Sequence, residues 1–107
     1  MRTNRIEIFK SQEDYKWYFH LVAKNNKIQL QTFGRPTLRI TKEASVRLKF
    51  SEFTVLMKKS ENDQFYFKVF VDGKLIAWSE TYVSEMGAKK GLEAVERNLK
   101  DAVIVEI

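Results

Sequence analysis

Sliding the chain over itself by 48 positions aligns residues 6–30 with 54–78 without a gap. This internal repeat limits the fold more than any single motif, because each copy must be one supersecondary unit whose apolar face is buried against the other. Lys10 meets Lys58, Glu13 meets Glu61, Tyr18 meets Tyr66, Phe19 meets Phe67 and Ile28 meets Ile76. Apolar residues also meet at Ile8/Leu56, Phe9/Met57, Trp17/Phe65, Leu21/Val69, Val22/Phe70, Ala23/Val71 and Leu30/Trp78. Each copy reads as three strands, "RIEIFK", "KWYFHLVA" and "KIQLQT" in the first, "FTVLMK", "QFYFKVFV" and "LIAWSE" in the second. These runs are β-branched or aromatic and are separated by polar segments. Asp72-Gly73 is a strong hairpin turn signal, and Asn25-Asn26 stands in its place in the first copy. The even offset puts equivalent side chains on one face, so Trp17, Phe19 and Leu21 with Phe65, Phe67 and Val69 form the expected core face. Tyr18, His20, Val22, Tyr66, Lys68 and Phe70 belong to the opposite, more mixed face.

After the third strand of the second copy, Ser84 can cap a helix whose apolar stripe is Ala88, Leu92, Val95 and Leu99. The chain then ends in "AVIVEI", suited to a last strand that either closes an edge of the sheet or pairs with a second chain. In the first copy the next plausible cap after Thr32 is Thr41, which makes the connection "FGRPTLRI" longer than "TYV" in the second. The repeat predicts a helix over 41–50, with Ala44 and Leu48 on its apolar side. A hairpin competes, because Val46, Leu48 and Phe50 alternate with Arg47 and Lys49. The predicted fold class is α+β, a tandem degenerate repeat. Each repeat is a three-stranded antiparallel meander followed by a helix, with helices covering the sheet and one C-terminal strand. One compact domain is expected over 1–107, with repeat 1 at about 5–50 and repeat 2 at about 53–107.

With the Asp72-Gly73 turn, "SETY" at 79–82 and "GAKKGLEAVERNL" at 87–99, the second half resembles the YegP-like family of small, often tandem domains of unknown function. Those repeats read as an aromatic strand, an Asn-Gly-like turn, a Ser-Glu-x-Tyr segment and a helix with Lys-x-Gly-Ile-x-x-Val-x-x-Asn. Lys89, Gly91, Leu92, Val95 and Asn98 occupy the helix positions. The first half lacks both the Ser-Glu-x-Tyr segment and the helix glycine. The resemblance implies antiparallel sheet covered by helices and a tendency to self-associate, and it implies no established catalytic activity.

His20 is the only histidine and there is no cysteine, so neither a His/Cys metal cluster nor a thiol nucleophile can be assembled. No Gly-x-Ser-x-Gly turn occurs, and Gly87 and Gly91 are spaced unlike a phosphate-binding loop. No enzyme activity, cofactor or metal is expected. No apolar run reaches the roughly 18 residues of a membrane span, and the lack of cysteine favours a cytoplasmic setting.

The net charge of +5 is unevenly placed. Lys and Arg against Asp and Glu give 11 minus 5, or +6, over residues 1–52, and 8 minus 9, or −1, over 53–107. Residues 33–49 hold the only proline and five cations with one acid, Glu43. The sequence therefore predicts a binding or regulatory module that engages an acidic protein through Phe33, Arg35, Arg39, Lys42, Arg47 and Lys49 on a solvated surface, where Arg35 and Arg39 are reversible to glutamate without loss of stability. The alternative is an RNA- or DNA-binding protein using the basic segment 35–49 and exposed strand aromatics, with Tyr18, His20, Tyr66 and Lys68 as sheet-face contacts. A homodimer is the expected assembly.

Overall fold

The computed structural model describes residues 3–107. In chain order the elements are β1 (Arg5–Lys10), β2 (Trp17–Val22), β3 (Ile28–Gln31), α1 (Leu38–Phe50), β4 (Thr54–Lys59), β5 (Phe65–Val71), β6 (Lys74–Ser79), α2 (Glu85–Asp101) and β7 (Val103–Glu106). The strands make one sheet in the order β4-β5-β6-β3-β2-β1-β7. All neighbours are antiparallel except β1 and β7, which run parallel. The two halves join where Leu30 lies opposite Ser79 and Gln31 opposite Trp78.

Alternation decides which face is buried. Ile6, Ile8, Phe19, Leu21, Leu30, Phe67, Val69 and Ala77 are fully buried and share one core with Ala44 and Leu48 of α1 and Val95 and Leu99 of α2. Phe19 and Phe67, expected on the same face, are both on this one. Both helices cover it, and among the described residues no layer lies over the other face of the sheet.

The ungapped offset of 48 describes only the middle strands. Phe19 lies opposite Ile8, and Phe67 opposite Met57, so Met57, not Leu56, takes the place of Ile8. Leu21 lies opposite Leu30, and Val69 opposite Ala77, so Ala77, not Trp78, takes the place of Leu30. The expected matches Ile8/Leu56, Phe9/Met57, Ile28/Ile76 and Leu30/Trp78 are therefore each one residue out of step. The cause is turn length. Residues 11–16 separate Lys10 from Trp17, but only 60–64 separate Lys59 from Phe65. Residues 23–27 separate the paired Val22 and Ile28, but only 71–74 separate Phe70 and Leu75. Left-handed backbone occurs in the longer turns at Tyr15 (φ 58°) and Asn26 (φ 69°) and in the shorter ones at Asp63 (φ 57°), Asp72 (φ 51°) and Gly73 (φ 76°), the last two forming the tight turn their sequence predicts.

Residues 41–50 are helical, not a hairpin, and the helix starts earlier than expected. Its cap is Thr37, whose Oγ1 accepts from Ile40 N at 3.2 Å, just as Ser84 Oγ accepts from Gly87 N at 3.0 Å. Thr41 is instead fully buried on the inner face with Ala44, Ser45 and Leu48. The connection in the first half is consequently not longer: Thr32 to Thr37 has the spacing of Ser79 to Ser84. The hydroxyls at its two starts do the same work. Thr32 Oγ1 accepts from Phe19 N at 3.1 Å, and Ser79 Oγ accepts from Phe67 N at 3.0 Å. Each connection then runs back beside its own middle strand. Trp17 and Arg35 exchange both main-chain hydrogen bonds at 2.8 Å, and Phe65 and Tyr82 do so at 2.8 and 2.7 Å.

Arg35 thus stands where the second half has Tyr82, which explains the missing helix glycine. A Cβ on Gly91 would lie 2.1 Å from the Tyr82 hydroxyl oxygen, so α2 needs glycine to pack on that ring. Without the tyrosine, α1 carries Ala44 at the matching place. The "AVIVEI" strand is used within the chain: Val103 N donates to Asn4 O at 3.1 Å and Ile107 N to Ile8 O at 2.9 Å. β1 is covered in this way, and the sheet is left with β4 and β7 at its edges.

Candidate functional site

The uncovered sheet face collects the aromatic side chains that the core excludes. Odd residues of β1 lie opposite even residues of β2, so Phe9 faces Tyr18 and Glu7 faces His20. Across the sheet, Lys58 lies opposite Tyr66, Leu56 opposite Lys68, and Lys68 opposite Trp78. Tyr18, His20, Tyr66 and Lys68, the four residues expected as sheet-face contacts, are on it and all half-buried, whereas Val22, also expected on this face, is buried. Phe9 and Trp78 join them. Sequence comparison hid these two, because the one-residue slip matched Phe9 with Met57 and Trp78 with Leu30, which are core-facing.

On the β1–β2 side the rings pack on one another. Phe9 stacks on Tyr18 with centroids 5.9 Å apart and meets His20 edge-on at 4.9 Å. The Tyr18 hydroxyl donates to the Asp14 carboxylate, which raises the tyrosine pKa and lowers that of the acid. Gly34 lies against this corner, since a Cβ there would be 2.9 Å from side-chain atoms of both Lys16 and Tyr18. On the β5–β6 side a shallow recess of about 380 Å³ opens between Gln31, Tyr66, Trp78, Ser79, Glu80 and Thr81.

Burial lowers the His20 pKa below its ordinary 6.5, against an opposing pull from Glu7. The folded state therefore favours neutral imidazole. Its stabilising contribution is full above pH 6.5 and is lost as pH falls from there through the lower folded pKa. Urea unfolding of the wild type between pH 7.5 and 5 is expected to show this loss, and His20→Gln to flatten it. An unchanged slope in the variant assigns the pH dependence to other groups.

In the basic segment Arg39, Lys42 and Arg47 are exposed, as the sequence suggests, and Arg35 is not. Arg35 is 6% exposed. Its guanidinium lies 4.2 Å from the Phe33 ring centre and 5.7 Å from that of Phe19, and burial lowers its pKa. Phe33 itself is 43% exposed, with one ring face occupied by that guanidinium. Lys42 pairs with Glu106 of β7, and Arg47 pairs with Asp72 in the β5–β6 turn at 2.7 Å. Lys49 Nζ donates to the last carbonyls of α2, Leu99 O at 3.0 Å and Lys100 O at 2.9 Å, where the helix end attracts a cation. Arg39 is the most solvent-exposed cation of the group and contacts Glu43 one turn on, at 3.3 Å. Lys42, Arg47 and Lys49 fasten α1 to its neighbours. Between them lies a recess of about 250 Å³ bounded by Phe33, Arg35, Ile40, Glu43 and Arg47.

A third concavity, about 530 Å³, is polar. It lies between the β2–β3 turn and the end of α2, with Lys24 and Arg97 among the residues that bound it. Asn4 Nδ2 donates to Asn98 Oδ1 at 3.2 Å and Asp101 Oδ1 at 3.0 Å, Asn4 Oδ1 accepts from Lys24 N at 2.9 Å, and Asn98 Nδ2 donates to Gln29 Oε1 at 2.9 Å. This network ties the start of β1 to α2. Among the described residues no three His, Asp or Glu side chains are grouped to hold a metal ion, and no helix is long and apolar enough to cross a membrane.

Comparison with known proteins converges on one group. Residues 60–106 match a family model described as a domain of unknown function, DUF1508. A "UPF0339 protein" of Treponema denticola is 36% identical over 56 residues, which are 52% of this chain and 95% of that protein. Two solution structures share the fold. One is the E. coli protein of unknown function yegP, with a TM-score of 0.84 and 18% identity over 99% of this chain and 94% of that one. The other is UPF0339 protein SO3888 from Shewanella oneidensis, with a TM-score of 0.84 and 20% identity over 97% and 91%. The second half thus carries the sequence match and the whole chain the fold, and the protein belongs to the YegP-like, UPF0339 family of unknown function.

Proposed function

We propose that the protein is a non-catalytic binding module that docks a protein partner on the open face of its sheet, around Tyr66, Lys68 and Trp78. The observation that carries this reading is the one-sided layering: two helices cover one face of seven strands and leave an aromatic face uncovered. Aromatic rings with a polar tip and little conformational freedom are the side chains that anchor protein interfaces. The contact therefore shifts from the basic segment of the first half, where Lys42, Arg47 and Lys49 already have intrachain partners, to the sheet. Arg39, the most exposed cation of that segment and paired only with Glu43 on its own helix, is the one placed to select an acidic partner. We read the chain as a duplicated unit in which both copies contribute strands to this face, and we place it in the cytoplasm for its lack of cysteine.

A second reading has its own support. Lys58, Lys68 and Lys16 border the aromatic face, the arrangement that lets single-stranded nucleic acid stack on a sheet. A photo-crosslinking amino acid at position 68, with position 93 on α2 as control, distinguishes the two in host lysate. A discrete polypeptide adduct at 68 only, lost with Trp78→Ser, is expected. A nuclease-sensitive, salt-sensitive adduct favours nucleic acid, and equal labelling at 68 and 93 overturns both.

A further inference from the structure

β1 and β4 are counterparts in the two halves, and their outer edges are treated differently. β1 is covered by β7, whereas the chain after α1 passes through Ser51, Glu52 and Phe53 straight into β4. The register shows which main-chain groups this leaves open. Phe65 N and Phe67 N donate away from β4, to Tyr82 O and Ser79 Oγ. In an antiparallel pair such residues face non-hydrogen-bonded partners. Those partners are Lys59 and Met57, and by alternation Phe53 and Val55 share their direction. The N–H and C=O groups of Phe53, Val55 and Met57 therefore point outward along an unbulged edge.

We infer that this edge pairs with the β4 edge of a second copy, antiparallel about a two-fold axis through Val55. Antiparallel partners share a face, so only registers of even sum keep core-facing residues together. The register centred on Val55 sets Phe53 opposite the second copy's Met57 on the helix side and Thr54 opposite its Leu56 on the open side. It also sets Glu52 opposite its Lys58, twice by symmetry. Neither Glu52 nor Lys58 is in an ion pair among the described residues. Phe53, Val55 and Met57 are only partly buried in the single chain, and Leu56 is 49% exposed. The outward groups at Phe53, Val55 and Met57 fall at hydrogen-bonded positions in this register, which gives roughly six main-chain bonds across the axis. Moving the axis to Leu56 sets Phe53 against Lys59 and Thr54 against Lys58, so it lacks the charge match. The pairing stands independently of what the open face binds, and it carries that face across two copies as one continuous sheet.

Sedimentation equilibrium of the full chain tests it. The wild type is expected to be a dimer. Val55→Pro removes an N–H that the single chain leaves unused and is expected to give a folded monomer with a near-wild-type melt. Glu52→Lys and Lys58→Glu should each weaken association about tenfold through paired like charges. Combining them should restore it. A wild type that stays monomeric to about 1 mM, a dimer that persists in folded Val55→Pro, or a double reversal no better than either single one overturns the proposal.

Discussion

Replacing Phe67 with alanine is expected to cost about 3–5 kcal/mol, a large share of the stability of a domain this size. Phe67 is fully buried. It lies opposite Met57 in the sheet and belongs to the same core as Val95 and Leu99. The helices above it are held by their own caps and cannot collapse fully into the space left, so a cavity term adds to the lost burial. The neighbouring ring is the control. Tyr66 points to the open face, and Tyr66→Ala should cost markedly less. Chemical denaturation of both variants decides the matter, and comparable losses would show that the two faces are not divided as described.

Arg35→Glu is the second large effect, expected at about 2–4 kcal/mol. The position is 6% exposed. The substitution removes a guanidinium seated between the Phe33 and Phe19 rings and puts a carboxylate beside them, in a recess that Glu43 also lines. Ring faces attract cations and repel anions. Arg39→Glu, by contrast, should change stability by no more than about 0.5 kcal/mol. A melting temperature for Arg35→Glu equal to that of Arg39→Glu would refute the buried placement. The two arginines look alike in the sequence, and their expected behaviour differs because one precedes the helix cap and the other follows it.

That contrast marks what was legible in the chain. The middle strands were, since Phe19 and Phe67 declare themselves by alternation, and α2 was, since Ser84, Ala88, Val95 and Leu99 carry both cap and stripe. The outer strands were not. An ungapped comparison settles on the middle offset when the flanking strands lie one residue to either side of it, and a slip of one residue moves every side chain to the other face. Hence Met57 was matched with Phe9 and Trp78 with Leu30, residues of the other face, and the aromatic surface was only half seen. α1 was read late by one turn because the cap was placed at Thr41 and Thr37 was passed over. What separates them is the pairing of Arg35 with Trp17, which places Pro36 and Thr37 at the helix entrance. The ion pairs of the basic segment were hidden for a different reason. The groups that engage it, Asp72, Glu106 and the last carbonyls of α2, are far away along the chain, so charge counting over a window sees cations without their partners.

The parallel pairing of β1 with β7 has a consequence for the order of events in folding. Arg5 meets Val103 and Ile8 meets Glu106, among the longest sequence separations the chain can offer, so this contact closes the largest loop and forms late. During synthesis β1 and β2 can meet long before the residues of β7 exist. Until translation has passed Glu106, the nascent chain presents the outer side of β1 as a bare strand, and this interval is when the polypeptide is most exposed to pairing with the wrong neighbour.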